Sequence, residues 1–171
     1  GVAASNSVRG IDVAGSYVYS VNTASGGDEL QVWDVSDPTS LINIGGVSLG
    51  STGGTHVEVS GNYAYISMGA VDGLVTVDIS DPANPVEVSS LATADELTTL
   101  VVAGNYVFTG SNGTGDLVEV FNVSSSTNPV KVGEASVGAD VEDIKVYGSK
   151  LFVTSWNAAS ELQIYDLGGL I

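Results

Sequence analysis

The sequence predicts an all-β fold: four antiparallel sheets arranged as the blades of a β-propeller. Three observations carry this. The first is a repeat. Leu30-Gln31-Val32-Trp33-Asp34, Leu74-Val75-Thr76-Val77-Asp78, Val118-Glu119-Val120-Phe121-Asn122 and Leu162-Gln163-Ile164-Tyr165-Asp166 follow one another at intervals of 44 residues. A fixed period of this size marks a repeat architecture. The second is short-range alternation of apolar and polar residues, the pattern of half-buried strands. The third is that no segment holds an apolar stripe of helical period. Four antiparallel strands in a unit of this length make one propeller blade. The whole chain, 1–171, reads as one domain, with repeats at roughly 7–50, 51–93, 94–138 and 139–171.

Each unit opens on an alternating run that ends in Gly: Ile11-Asp12-Val13-Ala14-Gly15, Val57-Glu58-Val59-Ser60-Gly61, Leu100-Val101-Val102-Ala103-Gly104 and Ile144-Lys145-Val146-Tyr147-Gly148. Gly followed by Ser or Asn forms a two-residue hairpin turn, and Gly at the first central position suits type II′. The second strand starts at once, at Tyr17, Tyr63, Tyr106 and Leu151. A Gly-, Asn- and Ser-rich connection leads to the third strand. Asn112-Gly113 is the strongest single turn signal in the chain. The third strand runs into a polar turn, Asp34-Val35-Ser36-Asp37-Pro38 in the first unit and Asp78-Ile79-Ser80-Asp81-Pro82 in the second. Asp and Ser bond backbone donors two residues on, and Pro presets the next angle. Fourth strands follow at Leu41–Ile44, Val86–Val88 and Val130–Val132. Trp33, Val77, Phe121 and Tyr165 recur in phase, and we expect them to fill the gaps between blades.

The second unit resembles the LVIVD repeat nearly throughout. It carries Gly61-Asn62-Tyr63-Ala64-Tyr65, Gly73-Leu74-Val75-Thr76-Val77-Asp78, Ser80-Asp81-Pro82 and Pro85-Val86. The other units are looser: Asn122 replaces the Asp of the third, and Lys150 the turn-following Tyr of the fourth. The resemblance implies an exported or cell-surface propeller, usually part of a longer array, without defined catalytic residues.

Composition bounds the partners. Twenty carboxylates face four cations, for a formal net charge of −16. Such a field repels phosphate backbones and anionic lipid, which argues against nucleic acid and membrane insertion. Cations and basic proteins stay open as partners. The chain has no cysteine, which removes disulfides, thiolate metal sites and cysteine nucleophiles. Strong acidity with few Lys points to an extracellular or cell-surface location.

The fourth unit is one strand short. Its third strand, Leu162-Gln163-Ile164-Tyr165-Asp166, is expected to present an open edge with no Pro or Lys to block it. The expected resolution is a strand supplied by another subunit, with the chain as its own partner. The candidate donors are Val2, Ala3 and Ala4, or Leu170 and Ile171. By phase, Gly1 to Ser5 match only the tail of a fourth strand. Head-to-tail addition that does not close builds a filament. An eight-bladed dimer of half-rings, a fragment of a longer protein and a monomer with a frayed outer strand are the alternatives.

Catalysis is not expected. The single His56 has no partner motif, and acid–base work needs a positioned one. No nucleophile elbow or phosphate-binding loop is present. Calcium is the cofactor the carboxylates could suit, with Asp140, Glu142 and Asp143 as ligand candidates. The Asp34–Asp37 and Asp78–Asp81 pairs read first as turn caps. Asn112-Gly113-Thr114 and Asn122-Val123-Ser124 fit the N-glycosylation pattern. Trp156 and Asn157 are candidates for contact with a glycan or a surface protein; packing between blades is the other role open to Trp156.

Overall fold

A computed structural model describes residues 7–23, 27–50, 52–69, 72–113, 115, 117–156 and 161–168. Among them are fifteen strands and no helix. No helix among the described residues is therefore long and apolar enough to cross a membrane. The first sheet pairs β1 (Val8–Ala14), β2 (Tyr17–Asn22), β3 (Leu30–Asp34) and β4 (Ile42–Val47) in sequence order. The second holds β5 (Gly54–Ser60), β6 (Tyr63–Met68), β7 (Leu74–Asp78) and β8 (Val86–Leu91). The third holds β9 (Glu96–Ala103), β10 (Tyr106–Asn112), β11 (Leu117–Asn122) and β12 (Val130–Ser136). The fourth has only β13 (Val141–Tyr147), β14 (Lys150–Ser155) and β15 (Leu162–Asp166). All neighbours are antiparallel, as short polar turns require.

The repeat is geometric as well as sequential. Gly15, Gly61, Gly104 and Gly148 take φ of 61, 60, 59 and 56° at the hairpin turns, a conformation that L side chains resist. The residue after each third strand donates back to the first hairpin turn: Val35 to Ser16, Ile79 to Asn62, Val123 to Asn105 and Leu167 to Ser149, at 2.8–2.9 Å. The third and fourth strands slip register at one place in every complete blade, between Val32 and Trp33, Thr76 and Val77, and Val120 and Phe121. The inner strands begin earlier than their alternation suggests. β9 starts at Glu96, and a bulge in each blade absorbs the irregular start. Asn112 likewise still belongs to strand β10, pairing with Glu96, and the turn begins at Gly113.

Three apolar clusters join the blades. Tyr19, Val21 and Val32 meet Val57, Ile66 and Val77 between the first and second. Tyr65 and Leu74 meet Leu100, Val107 and Phe121 between the second and third. Phe108 and Val118 meet Ile144, Leu151 and Val153 between the third and fourth, with Tyr165 packed on them. Val77, Phe121 and Tyr165 therefore do fill inter-blade gaps, whereas Trp33, expected to do the same, lies beside Ile11, Val18 and Leu41 of its own blade, with its Nε1–H donating to the Ser20 hydroxyl at 2.9 Å. Packing joins β1 to β5, β5 to β9 and β9 to β13, but nothing comparable joins β13 to β1. The four blades form an arc whose ends do not meet among the described residues.

Candidate functional site

Three places could carry function: the β15 edge, the axial cavity, and the loops around Trp156. The edge comes first. β3, β7 and β11 each lie between two strands, whereas β15 pairs only with β14 among the described residues. Leu162, Gln163, Ile164, Tyr165 and Asp166 pair with Thr154, Val153, Phe152, Leu151 and Lys150 on one side. Lys150 and Asp166 form an ion pair at 2.5 Å across this ladder. That contact gives the odd Lys150 a local role. The donor candidates Val2, Ala3, Ala4, Leu170 and Ile171 lie outside the described residues.

The inner strands line an axial cavity of about 580 Å³. Asp12, His56, Glu58 and Lys145 reach it. Burial pushes the Glu58 carboxyl up, against the hydrogen bond it takes from Val102 N–H at 3.0 Å. Burial also pulls the His56 imidazole down, and Lys145 adds to this. No side chain hydrogen-bonds the His56 ring among the described residues, so it has no positioned partner for proton transfer.

Asp12 and Glu58, which the sequence shows only as polar positions of alternating strands, have a structural task at this cavity. Asp12 Oδ2 accepts from Val59 N–H of the next blade at 2.7 Å, and Glu58 does the same to Val102. They are latches between consecutive inner strands. Hydroxyls form a second set: Thr55 Oγ1 donates to Leu97 O at 2.6 Å, and Thr98 Oγ1 to Val141 O at 2.7 Å. The shared repeat position of Asp12 and Glu58, and of Thr55 and Thr98, was the available signal. Glu29 was missed as well. It is buried, and its Oε2 takes Leu49 N–H at 2.6 Å and the Ser48 hydroxyl at 3.1 Å.

No three acidic or imidazole groups among the described residues gather to hold a metal ion. Asp140, Glu142 and Asp143 do not converge. Asp140 accepts from Gly113 N–H at 3.3 Å, while Asp143 is bound to Ile144 N–H at 2.9 Å. The Asp turns are caps: Asp34 accepts from Ser36 N–H, Asp37 from Thr39, Asp78 from Ser80 and Asp81 from Ala83. These bonds hold the Asp34, Asp37 and Asp78 carboxyls below the usual range. Asn122 caps its turn the same way, through Ser124 N–H at 2.9 Å. Both sequons therefore start on strand ends, not within turns. Trp156 is 76% exposed, so it fills no gap between blades. Asn157 lies outside the described residues.

Comparison with known proteins agrees with this architecture. No curated protein sequence matches the chain. The computationally designed Ika4 protein superposes with a TM-score of 0.71 at 15% identity, over 97% of this chain and 94% of that one. BamB from Moraxella catarrhalis superposes with a TM-score of 0.67 at 16% identity, over 93% of this chain and 44% of that one. A 6-phosphogluconolactonase candidate from Bacteroides fragilis NCTC 9343 gives 0.78 at 16% identity, over 94% and 51%. The chain thus spans about half of the last two. At such identities the likeness shows the fold alone. The LVIVD repeat family matches residues 6–48 and 53–93, the two units that carry the Asp-Pro turn, and this chain is an LVIVD-repeat protein.

Proposed function

We propose that the chain is a non-catalytic, extracellular structural module that assembles with copies of itself at its incomplete fourth blade. One observation carries the reading: β15 alone among the third strands has no outer neighbour among the described residues. An open ladder of backbone donors and acceptors is a template for an added strand. Repeated without closure, such addition builds a filament; closed on itself, it joins two arcs into one ring.

The absence of a supported acid–base pair at His56 favours a structural role over catalysis. Strong acidity with few Lys supports an exported setting. The acidic surface keeps single units apart at low salt, so assembly strengthens as salt screens the repulsion. Electron microscopy of the purified chain and of a variant lacking Gly1 to Ser7 tests the reading. Assembled particles that disappear on deletion support an N-terminal donor, whereas intact assemblies after deletion rule it out. A second reading, a glycan- or protein-binding surface, draws on the exposed Trp156. Loss of glycan binding in Trp156→Ala would establish it.

A further inference from the structure

The two ends of the arc are the two halves of one inter-blade joint. On the face each blade turns to its predecessor, Val57, Leu100 and Ile144 are 1, 0 and 1% exposed; Ile11, at the same repeat position, is 61% exposed. On the face each blade turns to its successor, Leu30, Leu74 and Val118 are 0, 0 and 3% exposed; Leu162 is 60% exposed. Ile11, Val18, Trp33, Val35 and Leu41 line an apolar pocket of about 230 Å³ on the uncovered side of the first blade. Contiguous apolar surface of this kind marks an interaction face.

The polar positions of the inner strands point the same way. The hydroxyl latch position is Thr55 and Thr98 in the middle blades, and Arg9 and Glu142 in the end blades. Thr55 reaches Leu97, the residue before Thr98. Carried on by one blade, the pattern sets Glu142 beside Val8 and Arg9 of whatever blade follows. The carboxylate latch position, Asp12 and Glu58, becomes Lys145 in the fourth blade. Its amide counterpart would be Val13 N–H, which already donates to Asp12 Oδ1 at 2.7 Å. A cation beside Asp12 suits that place. Neither Arg9 nor Lys145 joins an ion pair among the described residues.

We propose that the uncovered face of the first blade receives the fourth blade of a second copy of this chain, and that two chains close into an eight-bladed ring through two identical joints. Both faces belong to one sequence, and Arg9 and Glu142 make them complementary in charge. The arc also superposes on 51% of one longer propeller-like chain and 46% of another, the computationally designed Ika8. Each of those chains continues past the match by about as much again. The inference rests on the reading that copies meet at the fourth blade, and it selects a closed pair over an open polymer.

Sedimentation velocity of the 171-residue chain at about 0.15 M salt, where charges beyond the Debye length are screened, tests it. We expect a particle of twice the chain mass. Arg9→Glu and Glu142→Arg should each weaken association at least about tenfold, and the double variant should recover it. Ile11→Asp, at a position exposed in the single chain, should abolish association while leaving the circular dichroism spectrum unchanged. Assemblies that ignore all these variants but vanish when Gly1 to Ser7 are deleted overturn the paired faces and leave strand addition standing. A chain that stays monomeric overturns both.

Discussion

Ile11 and Ile144 occupy the same place in the first and fourth blades and meet opposite fates. Ile144 is sealed by the third blade, with Phe108 and Val118 in the same cluster. No blade covers Ile11 among the described residues, and it stands in solvent. The pair teaches that a blade is not self-sufficient. Its apolar face becomes core only when a neighbour arrives, so stability in this fold resides in the joints as much as in the sheets.

The comparison breaks most readily through large-to-small changes. Ile144→Ala should cost about 2–5 kcal/mol, since it leaves a cavity in a closed joint. Ile11→Ala, measured by urea unfolding of the dissociated chain, should stay within about 0.5 kcal/mol, as exposed positions do. Equal losses at the two sites would mean that the first blade is covered within its own chain. A smaller effect belongs to the latches. Thr98→Val removes the bond to Val141 O and should cost about 1 kcal/mol of unfolding free energy, read from urea denaturation.

Acid and base sharpen the contrast further. Burial raises the Glu58 carboxyl, so the folded chain holds that proton to higher pH than the unfolded chain does. Stability is therefore lost as pH rises through the window above the ordinary glutamate range. Glu58→Gln keeps an acceptor for Val102 N–H and removes the charge. It should be more stable than the parent near neutral pH, and the advantage should fade in acid. His56 runs the other way: its lowered pKa makes stability fall as pH drops below 6.5. The smallest effect is at the turns. Asp78 is held low by Ser80, so its contribution is present above 3.8 and lost as pH falls through its folded value. Asp78→Asn should keep the cap, as Asn122 does, and flatten the acid limb of the stability profile.

Much of this was legible in the sequence because it is local. Period, alternation and Gly-Asn or Gly-Ser turns fix the strands, and a side chain two residues from its amide fixes the caps. Even the inter-blade role of Val77, Phe121 and Tyr165 follows from phase. The latches were not legible as such. Asp12 and Glu58 share a position with Val101 and Lys145, so the polar pattern breaks halfway along the chain. The bare β15 edge was legible from the strand count, but the bare faces at the two ends were hidden for a different reason. Ile11 and Val57 look alike in an alternating strand, and their burial differs only because another blade is present or missing far along the chain.

The most direct test of the account is an image of the assembled protein. Averaged electron micrographs should show closed discs of eight blades, each built from two chains with both joints filled. Discs of four blades, or single arcs whose Ile11 and Leu162 faces stay bare at high concentration, would contradict it.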